Sequence, residues 1–216
     1  DDLFAENFFQ FLNDVKKRKG AKISSVATVY ENTNFGTGVN NAIKKNAAKY
    51  GYRLVADVAY AEKGTSAIAE VQKVKAASPD VVMPASYTAD AILYMKTFKD
   101  LNYVPQAILA MDAGYISDEF KKTLGKDGEY VLSREVWALD LAKKKPMIAQ
   151  VNEIYKKRFG RDMNGNSARS FTGFLVLADA INNAGSTDPE KIRESLEKYK
   201  LSGDRMIMPW QGVAID

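Results

Sequence analysis

The 216-residue sequence contains neither cysteine nor histidine. Without cysteine it has no disulfide, thiolate nucleophile or thiolate metal ligand, and without histidine it lacks the commonest general base and transition-metal ligand. Catalytic triads and zinc chemistry are therefore excluded. Serine/lysine, carboxylate-only and Mg²⁺-dependent chemistries are still compatible with the composition, but no such residue set is recognisable, so we expect no enzyme activity and no cofactor.

Long apolar runs and concentrated positive charge are also missing. No stretch approaches the roughly 18 apolar residues of a membrane-spanning helix. The formal net charge is +4, but the basic residues are spread over predicted helix surfaces instead of being interleaved with aromatic residues in one patch. We therefore predict no nucleic-acid partner.

Strand and helix patterns alternate along the first 135 residues. Short apolar runs such as VATVY (26–30) and VVMPAS (81–86) are each followed by a segment with apolar residues at helical spacing. This alternation predicts an α/β fold, a parallel sheet with helices on both faces and right-handed crossovers. Beyond Trp137 the pattern predicts long helices and one short strand near the end, so a second region is expected over residues 136–216.

Ligands of such sheets bind beyond the carboxyl ends of the strands, which makes the residues there the candidates for a site. Phe35-Gly36-Thr37-Gly38 follows the strand at 26–30 in a segment that we predict to be a loop. Asn41 stands where a dinucleotide fingerprint has its third glycine, and no Lys-Ser/Thr pair follows, so a phosphate-binding loop is not supported. Either the glycines permit a tight turn, or the loop presents Phe35 to a cleft.

Tyr87 and Asp112 directly follow two further predicted strands. Tyr87 could cap the sheet and Asp112 could form an Asx turn, but both also lie where ligands bind. A single carboxylate at a strand end suits a cationic or hydroxyl-bearing ligand. An enzyme that uses Asp112 with a metal is an alternative, although no second acidic residue is predicted at a strand end. The candidate ligand-binding residues are Phe35, Tyr87, Asp112 and the adjacent Ala113, and no catalytic or metal-binding residue is assigned.

The sequence resembles the type I periplasmic solute-binding proteins, in the branched-chain amino acid-binding group of ABC importers. Four stretches carry the resemblance in order: KISSVATVYENTNFGTGVNNAIKKNAAKYGYRLV, YAEKGTSAIAEVQKVKAASPDVVMPAS, SARSFTGFLVLADAINNAGSTDPEKIRESL and MPWQGVAID. The resemblance implies two α/β lobes that close on a small amino acid, amide, carboxylate or aromatic acid. It also implies a periplasmic subunit that delivers this ligand to a membrane permease. A ligand-sensing domain of a receptor or regulator with the same fold is the alternative.

The resemblance also assigns roles to individual residues. Phe35 and Tyr87 match aromatic residues that line the family's cleft. Asp112 falls where amino acid binders carry an acid, often Glu, that pairs with the α-ammonium group, and the shorter side chain would seat the ligand differently.

The resemblance further implies that the chain is a fragment lacking the N-terminal part. Residues 1–135 would be the second lobe, and residues 136–216 the crossover and helices of an incomplete first lobe. An apolar stripe on the predicted helix at 167–184, formed by Phe171, Phe174, Leu175, Ala178 and Ile181, would then lack its sheet. We expect self-association of the fragment or rearrangement of this region, and weakened ligand affinity.

Overall fold

The computed structural model describes residues 2–111 and 113–215. The chain divides into two compact units, unit 1 up to Arg134 and unit 2 from Glu135 onward. Within the described residues, no helix is both long and apolar enough to cross a membrane.

Unit 1 alternates strands and helices. Its strands are β1 (Ser25–Glu31), β2 (Arg53–Tyr60), β3 (Val81–Ala85), β4 (Ile108–Ala110) and β5 (Val131–Ser133). Its helices are α1 (Asp2–Lys19), α2 (Asn34–Lys49), α3 (Ile68–Ala77), α4 (Thr88–Asp100) and α5 (Asp118–Leu124), with 3₁₀ turns at Ala113–Ile116 and Gly125–Gly128.

The five strands form one parallel sheet in the order β2-β1-β3-β4-β5. Side chains alternate between the two faces, so that Val81 and Met83 join a core with α1 and α2, whereas Val82 joins a core with α3, α4 and α5. The predicted α/β fold with helices on both faces is confirmed. Because β1 leads through α2 to β2 on one side and β3 leads through α4 to β4 on the other, the strand order reverses between β1 and β3.

Asp80 joins the amino ends of β1 and β3. Its Oδ2 accepts hydrogen bonds from the backbone amides of Ser24 and Ser25 at 2.8 and 2.9 Å, and from their hydroxyls at 3.1 and 2.9 Å. The Asp80 amide donates in return to Ser25 Oγ at 3.1 Å. These hydrogen bonds, led by that of the Ser24 amide, hold the pKa of Asp80 below its ordinary value.

Unit 2 contains three helices among its described residues. They are α6 (Pro146–Phe159), α7 (Gly165–Ala184) and α8 (Pro189–Glu197). Single 3₁₀ turns lie at Leu139–Lys143 and Gly203–Arg205. The short strand predicted near the end is β7 (Gly212–Ala214), which forms an antiparallel pair with β6 (Lys200–Ser202), a strand that was not predicted. Buried residues of unit 2 pack around Trp137, whose indole Nε1 donates to the Ile207 carbonyl at 2.9 Å.

Helix α7 buries a different face from the predicted stripe. Small and β-branched side chains spaced four apart are buried, namely Ala168, Thr172, Val176 and Ala180. Phe171 is 39% exposed and Phe174 72% exposed, and Ala178 is exposed as well. The stripe is therefore largely open to solvent, as expected, while the opposite side of α7 supplies the core contact.

Candidate ligand-binding site

The aromatic rings of Phe35 and Tyr87 stack where the strand order reverses. Their centroids are 5.3 Å apart and their planes differ by 29°. Phe35 is half-buried, whereas Tyr87 is 51% exposed. Ligands of open α/β sheets bind in the crevice outside the carboxyl ends of the strands at this reversal. The pair thus presents apolar surface to solvent at the edge where a ligand is expected.

Phe35 lies in the first turn of helix α2, so its prediction as a loop residue was wrong. Thr33 caps this helix, since its Oγ1 accepts from the Gly36 amide at 3.4 Å. Gly36 packs against the end of β1, where a Cβ atom would lie 2.0 Å from the Glu31 carbonyl oxygen. Because Gly36 has no Cβ atom, the helix can approach the strand closely, and the residue does not form a turn. The sequence pattern alone does not distinguish these two uses of a glycine.

Glu31, the last residue of β1, is fully buried beneath this pair. Its Oε1 accepts from the Thr33 hydroxyl at 2.8 Å, and its Oε2 accepts from the Tyr87 backbone amide at 3.2 Å. Burial raises the pKa of Glu31, and the carboxylates of Asp90 and Glu62 raise it further, although the two hydrogen bonds oppose the change. One carboxylate therefore contacts the beginnings of both α2 and α4.

The backbone of Tyr87 is also held from the side of the 3₁₀ turn at Ala113–Ile116. The Gly114 amide donates to the Ser86 carbonyl at 3.0 Å. A Cβ atom on Gly114 would lie 2.5 Å from the Tyr87 carbonyl carbon, so only glycine allows this contact. Ala113 is half-buried beside it, with a φ of 42° that costs a residue with a Cβ atom about 1 kcal/mol. Asp112 lies outside the described residues.

Two acidic residues, Asp90 and Glu62, lie close enough to Glu31 to act on its carboxylate. Asp90, in the first turn of α4, is 3% exposed and accepts from the Lys63 backbone amide at 3.1 Å. The Lys63 ammonium lies 3.8 Å from the Glu62 carboxylate. Residues 2–111 and 113–215 contain no group of three or more acidic side chains that could hold a metal ion.

Comparison with known families identifies the chain. The family model described as periplasmic binding protein matches residues 5–213, nearly the whole sequence. The chain belongs to the periplasmic binding protein family. The family predicted from the four sequence stretches is confirmed.

Several curated relatives of this family member come from Brucella. Leu/Ile/Val-binding protein homolog 7 of Brucella suis biovar 1 is 23% identical over 216 residues, covering 95% of this chain and 54% of the relative. Homolog 8 of Brucella abortus is 24% identical over 187 residues, covering 85% of this chain and 46% of the relative. The chain thus spans about half the length of the curated relatives it matches.

Solved structures of family members share the fold. A leucine binding protein from Thermotoga maritima has a TM-score of 0.80 and 23% identity, covering 96% of this chain and 57% of that one. A fatty acid ABC transporter substrate-binding protein from Thermomonospora curvata has a TM-score of 0.77 and 14% identity, covering 95% and 54%. At these identities the likeness shows the fold, and the two names refer to different ligands.

The role of Phe35, Tyr87, Asp112 and Ala113 in ligand binding stays a prediction. The structure brings Phe35, Tyr87 and Ala113 to one edge of the sheet, whereas Asp112 is not described. Glu31 was missed, and the expectation that no acidic residue besides Asp112 ends a strand was wrong. The sequence signal that could have indicated Glu31 is an acidic residue at the end of a nearly apolar strand, because a buried carboxylate requires specific hydrogen-bond partners.

Proposed function

We propose that this member of the family is the periplasmic solute-binding subunit of an ABC importer. It would bind a small organic solute at the Phe35–Tyr87 edge and deliver it to a membrane permease without chemical change. The observation that carries this proposal is the stacked, partly exposed aromatic pair at the reversal of strand order. Under it, unit 1 acts as the second ligand-binding lobe and unit 2 supplies the crossover and helices of the first lobe.

We further propose that the solute carries an ammonium group. Faces of aromatic rings attract cations, and such contacts strengthen where water is excluded. Asp112 is proposed to pair with the ammonium group directly. The names of the relatives make branched-chain amino acids the first compounds to test, with amides and small aromatic acids next.

The test titrates three matched probes into ¹⁵N-labelled protein. Leucine has both charged groups, leucinamide lacks the carboxylate, and 4-methylpentanoate lacks the ammonium group. We expect leucine and leucinamide to shift the amide resonances of Gly36 and Gly114, which lie beside the two rings. Tyr87→Ala should weaken these shifts, whereas Tyr130→Ala should not, because the Tyr130 side chain, 92% exposed, precedes the opposite end of the sheet.

Two outcomes would contradict the proposal. If none of the probes, including the amides and aromatic acids, shifts these resonances, the edge is not a solute site. If 4-methylpentanoate binds as tightly as leucine, the site takes carboxylates or aliphatic chains and the ammonium requirement is wrong.

A further inference from the structure

The Glu31 carboxylate connects two segments that are distant in sequence. Tyr87 lies 56 positions after Glu31, yet its amide donates to one carboxylate oxygen while the Thr33 hydroxyl donates to the other. Thr33 caps the helix that carries Phe35 in its first turn. A single buried side chain therefore touches the structural support of both rings, while the rings themselves face the proposed ligand.

We infer that Glu31 is a positioning residue, which holds Phe35 and Tyr87 at stacking distance and so shapes the surface that meets the solute. Glu31 is fully buried and does not itself reach the solvent-exposed edge. Its effect on the ligand rests on the proposed function, whereas its effect on the ring pair does not.

The two hydrogen bonds explain why position 31 carries a long side chain with two acceptor oxygens. A carboxylate offers an acceptor oxygen to each donor, and hydrogen bonds to an ionised acceptor are roughly twice as strong as neutral ones. Alanine would leave the Tyr87 amide without its acceptor. Glutamine has the same shape, so its oxygen can accept from the amide while its NH₂ donates to Thr33 Oγ1. Glutamine is therefore the conservative replacement.

Gly36 and Gly114 make the link rigid. Each packs so closely that a Cβ atom would overlap backbone, of Glu31 in the first case and of Tyr87 in the second. Gly36 fixes the start of α2 against the Glu31 backbone, and Gly114 fixes the Tyr87 backbone against the 3₁₀ turn. Neither contact runs from α2 to α4, so the Glu31 hydrogen bonds are left to set the distance between the amino ends of these helices. Removing the carboxylate should let the rings separate even where the sheet stays intact.

The experiment compares Glu31→Ala, Glu31→Gln and the surface control Glu129→Ala in ligand-free protein. Its readout is the ring-current shift of the Tyr87 ring protons, with Phe35→Leu as the reference that lacks the shift. We expect Glu31→Gln and Glu129→Ala to keep the shift, and Glu31→Ala to lose most of it. Leucine affinity should fall roughly tenfold in Glu31→Ala, or about 1.4 kcal/mol, because the two rings are then no longer preorganised for the solute.

Retention of the full ring-current shift in Glu31→Ala would overturn the inference. Loss of the shift in a protein that binds none of the solute probes would support the positioning role while contradicting the proposed function. If Glu31→Ala does not fold, the pair Glu31→Met and Glu31→Gln decides. Methionine fills similar space without the two acceptor oxygens and leaves the Thr33 cap in place, so a reduced shift in methionine alone supports the inference and equal shifts overturn it.

Discussion

Replacement of Asp80 tests whether the amino ends of β1 and β3 depend on one carboxylate. Asp80→Ala removes the acceptor of the Ser24 and Ser25 backbone amides. Each such hydrogen bond is worth about 1–1.5 kcal/mol, and the two serine hydroxyls can turn to water, so we expect a loss of about 2–3 kcal/mol in the free energy of unfolding. Asp80→Asn keeps an acceptor oxygen but loses the charge, and should cost about half as much.

The effect should depend on pH with a defined sign. The pKa of Asp80 lies below its ordinary value in the folded protein. Its stabilisation is therefore complete above the unfolded value of about 3.9 and is lost as pH falls through the folded pKa. The difference in unfolding free energy between the parent protein and Asp80→Asn should be constant near pH 7 and shrink below about pH 4.

Urea unfolding followed by far-ultraviolet circular dichroism, at pH 7 and in steps down to pH 3, measures this difference. Hydrogen exchange of residues 25–31 and 81–85 locates it, because loss of the link should reduce protection there. Asp14→Asn is the control, since Asp14 pairs with Arg18 on an exposed helix surface and should matter by less than about 0.5 kcal/mol. The reasoning would be refuted if the parent protein is no more stable than Asp80→Asn at pH 7. It would also be refuted if the difference in unfolding free energy between the two proteins is unchanged at pH 3.

Three further predictions concern unit 2. Asn164→Ala should lower the free energy of unfolding by about 1 kcal/mol, because it removes the capping box formed with Ser167, whereas Asn164→Ser should not; urea unfolding decides. Burial and the Asp179 carboxylate raise the pKa of Tyr199 to about 12, so its stabilisation should be complete below pH 10 and lost between pH 10 and 12. Tyr199→Phe should lack that loss in alkaline unfolding, and an identical pH profile would argue against it. Phe174→Ser should reduce self-association in sedimentation velocity without a stability change above about 0.5 kcal/mol, because the ring is 72% exposed.

The regular elements followed from local patterns. Helix α6 (Pro146–Phe159) is one of the long helices predicted beyond Trp137, and its ends have clear sequence signals, because proline suits a first helical turn and Gly160 ends the helix in a left-handed conformation. The segment EYVLSREVW (129–137) has a strand-like pattern over its whole length, yet β5 spans only Val131–Ser133, since a pattern does not reveal how many residues find a pairing partner.

The sequence pattern did not predict which of several possible contacts a residue makes in the folded protein. Helix α7 has apolar residues on two sides, and only packing decides that Ala168 and Val176 are buried while Phe174 is exposed. Phe35 was assigned to a loop because glycines usually mark turns, although Thr33 starts the helix before them. The role of Glu31 depends on an amide 56 positions away, which no local signal encodes.

The contact between Glu31 and residue 87 involves the main-chain amide and not the phenol ring. Any residue except proline has that amide, so the side chain at position 87 can change without loss of the support beneath it. Under the proposed function, ligand recognition by the side chain and support by the main chain are thus separable at position 87. A library randomised at position 87 should therefore yield folded proteins with every residue except proline, at close to the parent melting temperature.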